Sequence, residues 1–269
     1  MNRLSAAAAT VMLLFAASTE SRRAPAVGLR AGAGKVDITP KQSELTISTD
    51  SIRDRLFARA VVVDDGSTCG VLVGVDLGGL SSQTFADATT RASAATGCPP
   101  ENFVISATHT HSSNTQGLGQ GPPTSQTVAD SIVEAATTAK SRLAPARVGY
   151  GTTNVDLNVN RDLFNSELEW RQEPNQNGPS DKTLAVVEFL GADNVPIAVF
   201  MNYAMHPINF YLSGVISADF PGEASRYIEE LFDNFDYTTG ALTNPAVFGR
   251  LTGNTLSARR IQFGARLTF

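Results

Sequence analysis

Two cysteines, Cys69 and Cys98, are all the thiols in a chain of 269 residues. They are too few for a tetrahedral thiolate metal site or a disulfide framework, and they can form one bridge or none. Charge is sparse as well: 17% of residues are charged, with 21 Lys and Arg against 26 Asp and Glu, a net charge of -5. No basic block is long enough to follow a phosphate backbone, so nucleic acid is not an expected partner. Beyond the amino-terminal stretch, no run reaches the ~18 consecutive apolar residues of a transmembrane helix. The Gly-x-Ser-x-Gly nucleophile elbow is missing, no Walker phosphate loop occurs, and Gly32-Ala33-Gly34 is too short for a dinucleotide fingerprint.

What is present is an ordinary globular composition, 42% hydrophobic, in a length that suits one large domain or two small ones with a sizeable core. Residues 1–26 stand apart. Arg3 gives a positive start, Ala6 to Ala17 is apolar, and small residues follow, with Ala16-Ala17-Ser18 and Ala24-Pro25-Ala26 as alternative cleavage sites. That order is the signature of a secretory signal, with an apolar helix too short to span a bilayer stably. The chain is therefore expected to be exported, to the periplasm or beyond the cell.

The elements that follow alternate in type. Gly28 to Pro40 is a Gly/Ala-rich opening. Leu56 to Asp64 and Cys69 to Asp76, joined by Asp65-Gly66, read as a β-hairpin, since Gly66 supplies the positive φ of a tight turn. Ser81 to Thr96 reads as a helix with Phe85, Ala88, Ala92 and Ala95 at helical spacing, capped by Ser81 or Ser82 and stopped at Gly97. Phe103 to Ala107 is a short strand, and Thr124 to Leu143 a helix with a stripe of Val128, Ile132, Val133, Ala136 and Ala139. Val148 to Val159 is extended, and Asn165 to Asp181 is expected as a long surface loop. Leu184 to Leu190 and Pro196 to Tyr203 form a second hairpin, and Pro221 to Phe232 a last helix. The class is α/β, a mixed β-sheet with flanking helices.

Histidine is the informative residue. His109, His111 and His206 are the only three, and each follows an apolar strand where it gives way to loop, the position at which α/β proteins place their sites. His109 and His111 are two apart, so a strand continuing through them would project both imidazoles from one face. They could then reach one metal together, or divide the roles of ligand and proton carrier. Zinc accepts neutral imidazole nitrogen, and a catalytic site needs about three protein ligands plus water. Asp219 is the nearest carboxylate downstream of His206; it can orient an imidazole, bind metal, or simply cap the helix at Pro221. Arg161 is a candidate anion or substrate clamp or a surface ion pair, and Ser112-Ser113 beside His111 reads as a polar loop.

Several motifs, in order, resemble the neutral/alkaline non-lysosomal ceramidases. They are Gly32-Ala33-Gly34-Lys35-Val36-Asp37-Ile38-Thr39-Pro40, Ala58 to Gly66, Ser106-Ala107-Thr108-His109-Thr110-His111-Ser112, Asn158-Val159-Asn160-Arg161, and Asn202-Tyr203-Ala204-Met205-His206-Pro207. Residues 27–233 thus resemble the amino-terminal part of that catalytic domain. The resemblance implies a zinc-dependent hydrolase in which water held on the metal attacks the amide of an N-acyl sphingoid base, releasing fatty acid and sphingosine. It implies His109 and His206 as zinc ligands, His111 beside the metal shaping the site or handling a proton, and Arg161 in the wall. A ceramide-like lipid amide is the implied substrate, with contact to a membrane surface.

Two departures are visible. The family usually continues Thr-His-Thr-His-Ser-Gly-Pro, whereas Ser113-Asn114 follows Ser112 here. Family members also run much further and take a glutamate and a tyrosine ligand, with a catalytic-site serine, from a part with no counterpart in this sequence. Weakened metal binding is the expected consequence, and an inactive fragment or lipid-binding module of the same fold is the alternative reading. From residue 234 the text changes. Ile261, Phe263, Ala265, Leu267 and Phe269 alternate with polar or small residues, as one lipid-facing barrel strand would. Residues 243–269 resemble the last strands of an outer-membrane TonB-dependent-receptor-like barrel, and are expected to be a fused segment; an edge strand of the soluble domain is the plainer alternative. The first of these adds outer-membrane association to the expected locations.

Overall fold

The computed structural model describes residues 28–45, 47–114 and 121–234. The expected signal segment and the barrel-like tail from residue 235 onward lie outside the described residues. The elements in chain order are β1 (Arg30–Asp37), β2 (Ser51–Ile52), β3 (Phe57–Asp64), β4 (Cys69–Val75), α1 (Ser82–Thr96), β5 (Phe103–Ala107), α2 (Ser125–Ser141) and β6 (Ala144–Asn154). Then come β7 (Asn160–Phe164), β8 (Trp170–Asn175), β9 (Thr183–Gly191), β10 (Pro196–Tyr203), β11 (Val215–Ile216) and α3 (Asp219–Asn234). Seven strands join in the order β10-β9-β6-β1-β3-β4-β5. Within that sheet β4 and β5 run parallel while the other pairs are antiparallel. This is the expected mixed α/β sheet with flanking helices.

The alternation of β3 and β4 decides which face takes the helices. Ala58, Ala60 and Val62, with Val71, Val73 and Val75, are buried against Ala88 and Ala92 of α1 and Val128, Ile132, Ala135, Ala136 and Ala139 of α2. Each buried Val or Ile contributes about 1.5–3 kcal/mol by leaving water. Ser81 caps α1 by accepting the Thr84 amide, and Gly97 ends it at φ 72°, as the sequence predicts. The stripe of α1 keeps Ala88 and Ala92 buried as expected but differs at its ends, where Thr84 and Thr96 are buried while Phe85 and Ala95 are exposed. Phe85 turns outward, 39% exposed.

The Gly/Ala-rich opening is the central strand. A Cβ at Gly32 would lie 2.2 Å from the Ala139 carbonyl oxygen, and one at Gly34 2.2 Å from that of Ala135. Glycine is required there because the backbone of α2, its own face lined by alanines, lies directly on β1. The expected loop at Asn165 to Asp181 is also corrected. Its middle, Trp170–Asn175, is β8, antiparallel to β7 in a separate two-stranded sheet. Pro174 is tolerated because the pairing is irregular between Asn160 and Asp162, so no ladder donor is needed at that point.

The sheet folds back on itself between β1 and β6. Only two residue pairs join those strands, Arg30 with Pro145 and Ala31 with Ala144, and beyond them β10 lies against β1. A second core fills the space between the layers: Ala31 and Val61 from the first, Phe189 and Ala198 from the second. The order is therefore helices, then β1-β3-β4-β5, then β6-β9-β10. Glu229 of α3 ties that helix to the first layer by accepting from Lys35 Nζ and Arg59 Nε, each at 2.9 Å. Cys69 and Cys98 are disulfide-bonded, with their Cα atoms 5.1 Å apart, which settles the pairing that the sequence left open.

Candidate metal centre

His109 and His111 follow β5 and His206 follows β10, at opposite ends of the strand order. In a flat sheet with strands ~4.8 Å apart those ends would be roughly 29 Å from one another. The fold-back brings them together. The His109 and His206 ring centroids are 4.8 Å apart, those of His111 and His206 4.5 Å, and those of His109 and His111 4.7 Å.

The route by which His109 and His111 converge differs from strand alternation. β5 stops at Ala107, and His109 takes φ 67°, in the left-handed region. Its Nδ1 donates to the Gly78 carbonyl at 2.6 Å, which fixes the tautomer and leaves Nε2 with its lone pair facing the site. His109 Nε2 lies 3.3 Å from His111 Nε2. The His111 amide donates to the Pro207 carbonyl at 3.0 Å, so the two histidine loops are joined through backbone as well. Burial lowers the His111 pKa below the ordinary imidazole value, and the neighbouring His109 and Arg161 push it the same way. His111 is therefore a neutral ring at neutral pH.

One ligand nitrogen from each of the three rings lies within 4.8 Å of the others. Two ligands on a tetrahedral zinc, at ~2.0–2.1 Å each, stand about 3.3–3.4 Å apart. The His109–His111 separation has that value, and imidazole nitrogen suits a borderline-soft cation. The three-imidazole set is of the kind that can hold zinc, and its His109–His111 pair already stands at the spacing of two ligands on one ion.

Arg161 is carried on β7, close enough for its charge to act on His111. β7 is anchored at its entry by two residues that sequence reasoning quoted without a role. The Tyr203 hydroxyl donates to the Val155 carbonyl at 2.7 Å and accepts the Leu157 and Asn158 amides at 3.1 Å. Asn158 Nδ2 donates to the carbonyls of Asp181 and Ala204, fastening Arg161's strand to the backbone just before His206. Tyr211 was missed altogether. Its ring stands edge-on to His111 at 5.2 Å, and only its position five residues after His206 hinted at the site. Ser112 and Ser113, expected in a polar loop, are both buried.

A cleft of about 440 Å³ opens beside His109, lined by Gly78, Leu80, Phe85, Ile105 and Ala107 among others. Its walls mix apolar side chains with Ser82, Ser106 and exposed backbone, and it runs along the carboxyl ends of β4 and β5.

The folded-back α/β architecture is shared with solved structures. The chain belongs to the neutral/alkaline non-lysosomal ceramidase family, whose amino-terminal region it matches over residues 30–255. It is 28% identical over 253 residues to the neutral ceramidase of Pseudomonas aeruginosa, covering 85% of this chain and 38% of that protein. It is 26% identical over 231 residues to the neutral ceramidase of Drosophila pseudoobscura pseudoobscura, covering 76% of this chain and 32% of the relative. The crystal structure of the Pseudomonas aeruginosa neutral ceramidase superposes with a TM-score of 0.62 at 26% identity, over 78% of this chain and 37% of that one. A ceramidase complexed with C2 gives 0.63, also at 26% identity, over 77% and 36%. The chain thus spans well under half the length of the relatives it matches.

Proposed function

We propose that this chain carries the histidine side of a zinc-dependent hydrolase acting on the amide of N-acyl sphingoid bases. The convergence of His109 and His206 from opposite ends of the sheet is the observation that carries the reading. His109 and His206 would hold the ion, the His109 ring fixed by the Gly78 carbonyl and the two histidine loops joined by the His111–Pro207 backbone bond. When bound, zinc polarises a carbonyl and lowers the pKa of coordinated water toward ~7.

The chain's own residues do the rest. His111 faces the other two rings, its Nε2 3.3 Å from His109 Nε2, and is placed to take or return a proton beside the ion. Arg161 sets a positive charge in the wall, where it favours the oxygen on which negative charge develops. The cleft beside His109, with Leu80, Phe85 and Ile105 on its wall, offers room for part of the substrate chain next to the reacting amide. Export is part of the same proposal: residues 1–26 read as a leader, the disulfide suits an oxidising compartment, and no described helix is long and apolar enough to cross a membrane.

The β7–β8 hairpin extends the reading to a lipid surface. Leu168 and Trp170 are 76% and 72% exposed and Phe164 packs at a tilt against Trp170 at 5.2 Å, three apolar side chains at a turn that also carries Glu167 and Glu169, on the strand pair whose base carries Arg161. Aromatic tips of this kind sit well at a headgroup boundary.

The test is turnover of N-acyl sphingosines of graded acyl length, with ester analogues as controls. The expected result is fatty acid and sphingosine in equal amounts, abolished by a chelator and restored by zinc. Saturable lipid binding with no product from zinc-loaded protein would contradict hydrolysis and leave a lipid-binding module.

A further inference from the structure

Between and after the histidines stand hydroxyl residues: Thr110 separates His109 from His111, and Ser112 follows. Thr110 is 0% exposed and Ser112 1%, so their hydroxyls need partners inside the protein. Both find the same one. Thr110 Oγ1 lies 2.9 Å from Asp219 Oδ2 and shares its proton with the Ser217 carbonyl at 3.0 Å, and Ser112 Oγ lies 3.1 and 3.3 Å from the two oxygens of that carboxylate. Asp219 is itself buried, 5% exposed. Its Oδ1 also accepts the Phe210 amide, at 3.2 Å, from the segment that follows His206.

One carboxylate therefore bonds to both histidine-bearing segments without appearing among the three imidazoles that form the donor set. The framework behind it is built from the same stretch. The Asp219 amide donates to Ser217 Oγ at 2.9 Å, and Ser217 Oγ donates to Asp54 Oδ2 at 2.7 Å. The Ser217 amide reaches back to the Ser112 carbonyl at 2.8 Å, and Asp54 Oδ1 accepts the Ala218 amide at 2.7 Å. Asp219 takes φ 50°, a conformation that Asp and Asn tolerate better than most residues.

We propose that Asp219 is the positioning residue of the centre: its carboxylate clasps Thr110 and Ser112 from behind and holds the His109–His111 loop against the segment bearing His206. This rests on the zinc reading for its consequence but not for its geometry. The sequence alternatives, an imidazole orienter or a metal ligand, give way to a role exercised through hydroxyls. Charge-assisted bonds from two hydroxyls to one buried carboxylate set the loop more rigidly than neutral pairs would.

The experiment compares Asp219→Asn, which keeps shape and backbone preference but replaces one accepting oxygen by a donor, with Asp64→Asn. Asp64 is an equally buried carboxylate bonded to Arg30 and Lys140, away from the histidines. Zinc affinity by chelator competition is read together with imidazole 15N–1H NMR, which shows three ring systems because the chain has three histidines. Asp219→Asn is expected to weaken zinc binding about 10–100-fold, the usual cost of losing support behind a ligand, and to shift or broaden the His109 and His111 rings even in metal-free protein. Asp64→Asn is expected to leave both readouts unchanged. If Asp219→Asn does not fold, Thr110→Val with Ser112→Ala removes the clasped hydroxyls and should give the same loss. Wild-type affinity and unmoved ring signals in the folded variants would overturn the proposal. Failure of the wild type to bind zinc would overturn the hydrolase reading instead, while the metal-free ring signals still decide the role of Asp219.

Discussion

At the scale of single residues, the centre depends on how few atoms hold each ring. His109 has one fixed nitrogen, bonded to Gly78, and one that faces the site. Asp64 shows the same economy in a structural role. Burial alone would raise its pKa, but hydrogen bonds from Arg30 and Lys140 and from the Gly66 amide outweigh burial and hold it at about 2. Its unfolded value is ~3.9. The pKa is depressed on folding, so the stabilisation is complete above about pH 4 and is lost as the pH falls toward 2. Urea unfolding should therefore show Asp64→Asn less stable than wild type by about 1–3 kcal/mol at pH 7. The gap should close as the medium is acidified, and a gap independent of pH would contradict this assignment.

Among elements, β1 and the β7–β8 hairpin were the hardest to foresee. The hairpin turns and strand ends were legible because their signals are local: Asp65-Gly66 turns β3 into β4, and Ser81 and Gly97 bound α1. β1 was not, because its glycines lower strand propensity and their purpose lies in α2, a hundred residues later. Gly34→Ala should accordingly destabilise the fold by at least about 1–3 kcal/mol, the usual cost of overpacking, seen as a lowered Tm. A stable Gly34→Ala protein would show that α2 can retreat from β1. The strand β8 was hidden for a different reason: exposed on both faces, it has no apolar alternation to reveal it.

The hairpin tip offers a direct optical test, because Trp170 is the only tryptophan in the chain. Adding phosphatidylcholine vesicles free of ceramide should shift its emission to the blue, and brominated lipid should quench it. Trp170→Ala with Leu168→Ser should lower vesicle binding while leaving the zinc content unchanged. Emission unaffected by saturating vesicles would contradict lipid docking by this hairpin. At the other end of the sheet, the Cys69–Cys98 bridge closes a loop of 29 residues in sequence. On loop-entropy grounds its removal by Cys69→Ser with Cys98→Ser should cost about 3–4 kcal/mol. Calorimetry under non-reducing conditions measures it, and an unchanged Tm would contradict it.

For the whole molecule, the decisive event is the fold-back of the sheet at its two-pair junction. The sequence placed each histidine at a strand end and, through its resemblance to ceramidases, assigned them to one site. It held no local signal that β10 would lie against β1, because strand order and curl are settled by the second core of Ala31, Val61, Phe189 and Ala198. Nor could spacing alone show that the left-handed turn at His109, rather than strand alternation, would aim the two rings at one point. The measurement that tests this arrangement most directly is zinc content per chain after metal loading and desalting, for wild type, His109→Ala and His206→Ala. The expected result is close to one equivalent in the wild type and less than about a tenth in either variant, since a ligand loss weakens the site at least as much as loss of its support. Variants that are folded and keep the wild-type zinc content would contradict the claim that rings from opposite ends of the sheet share one ion.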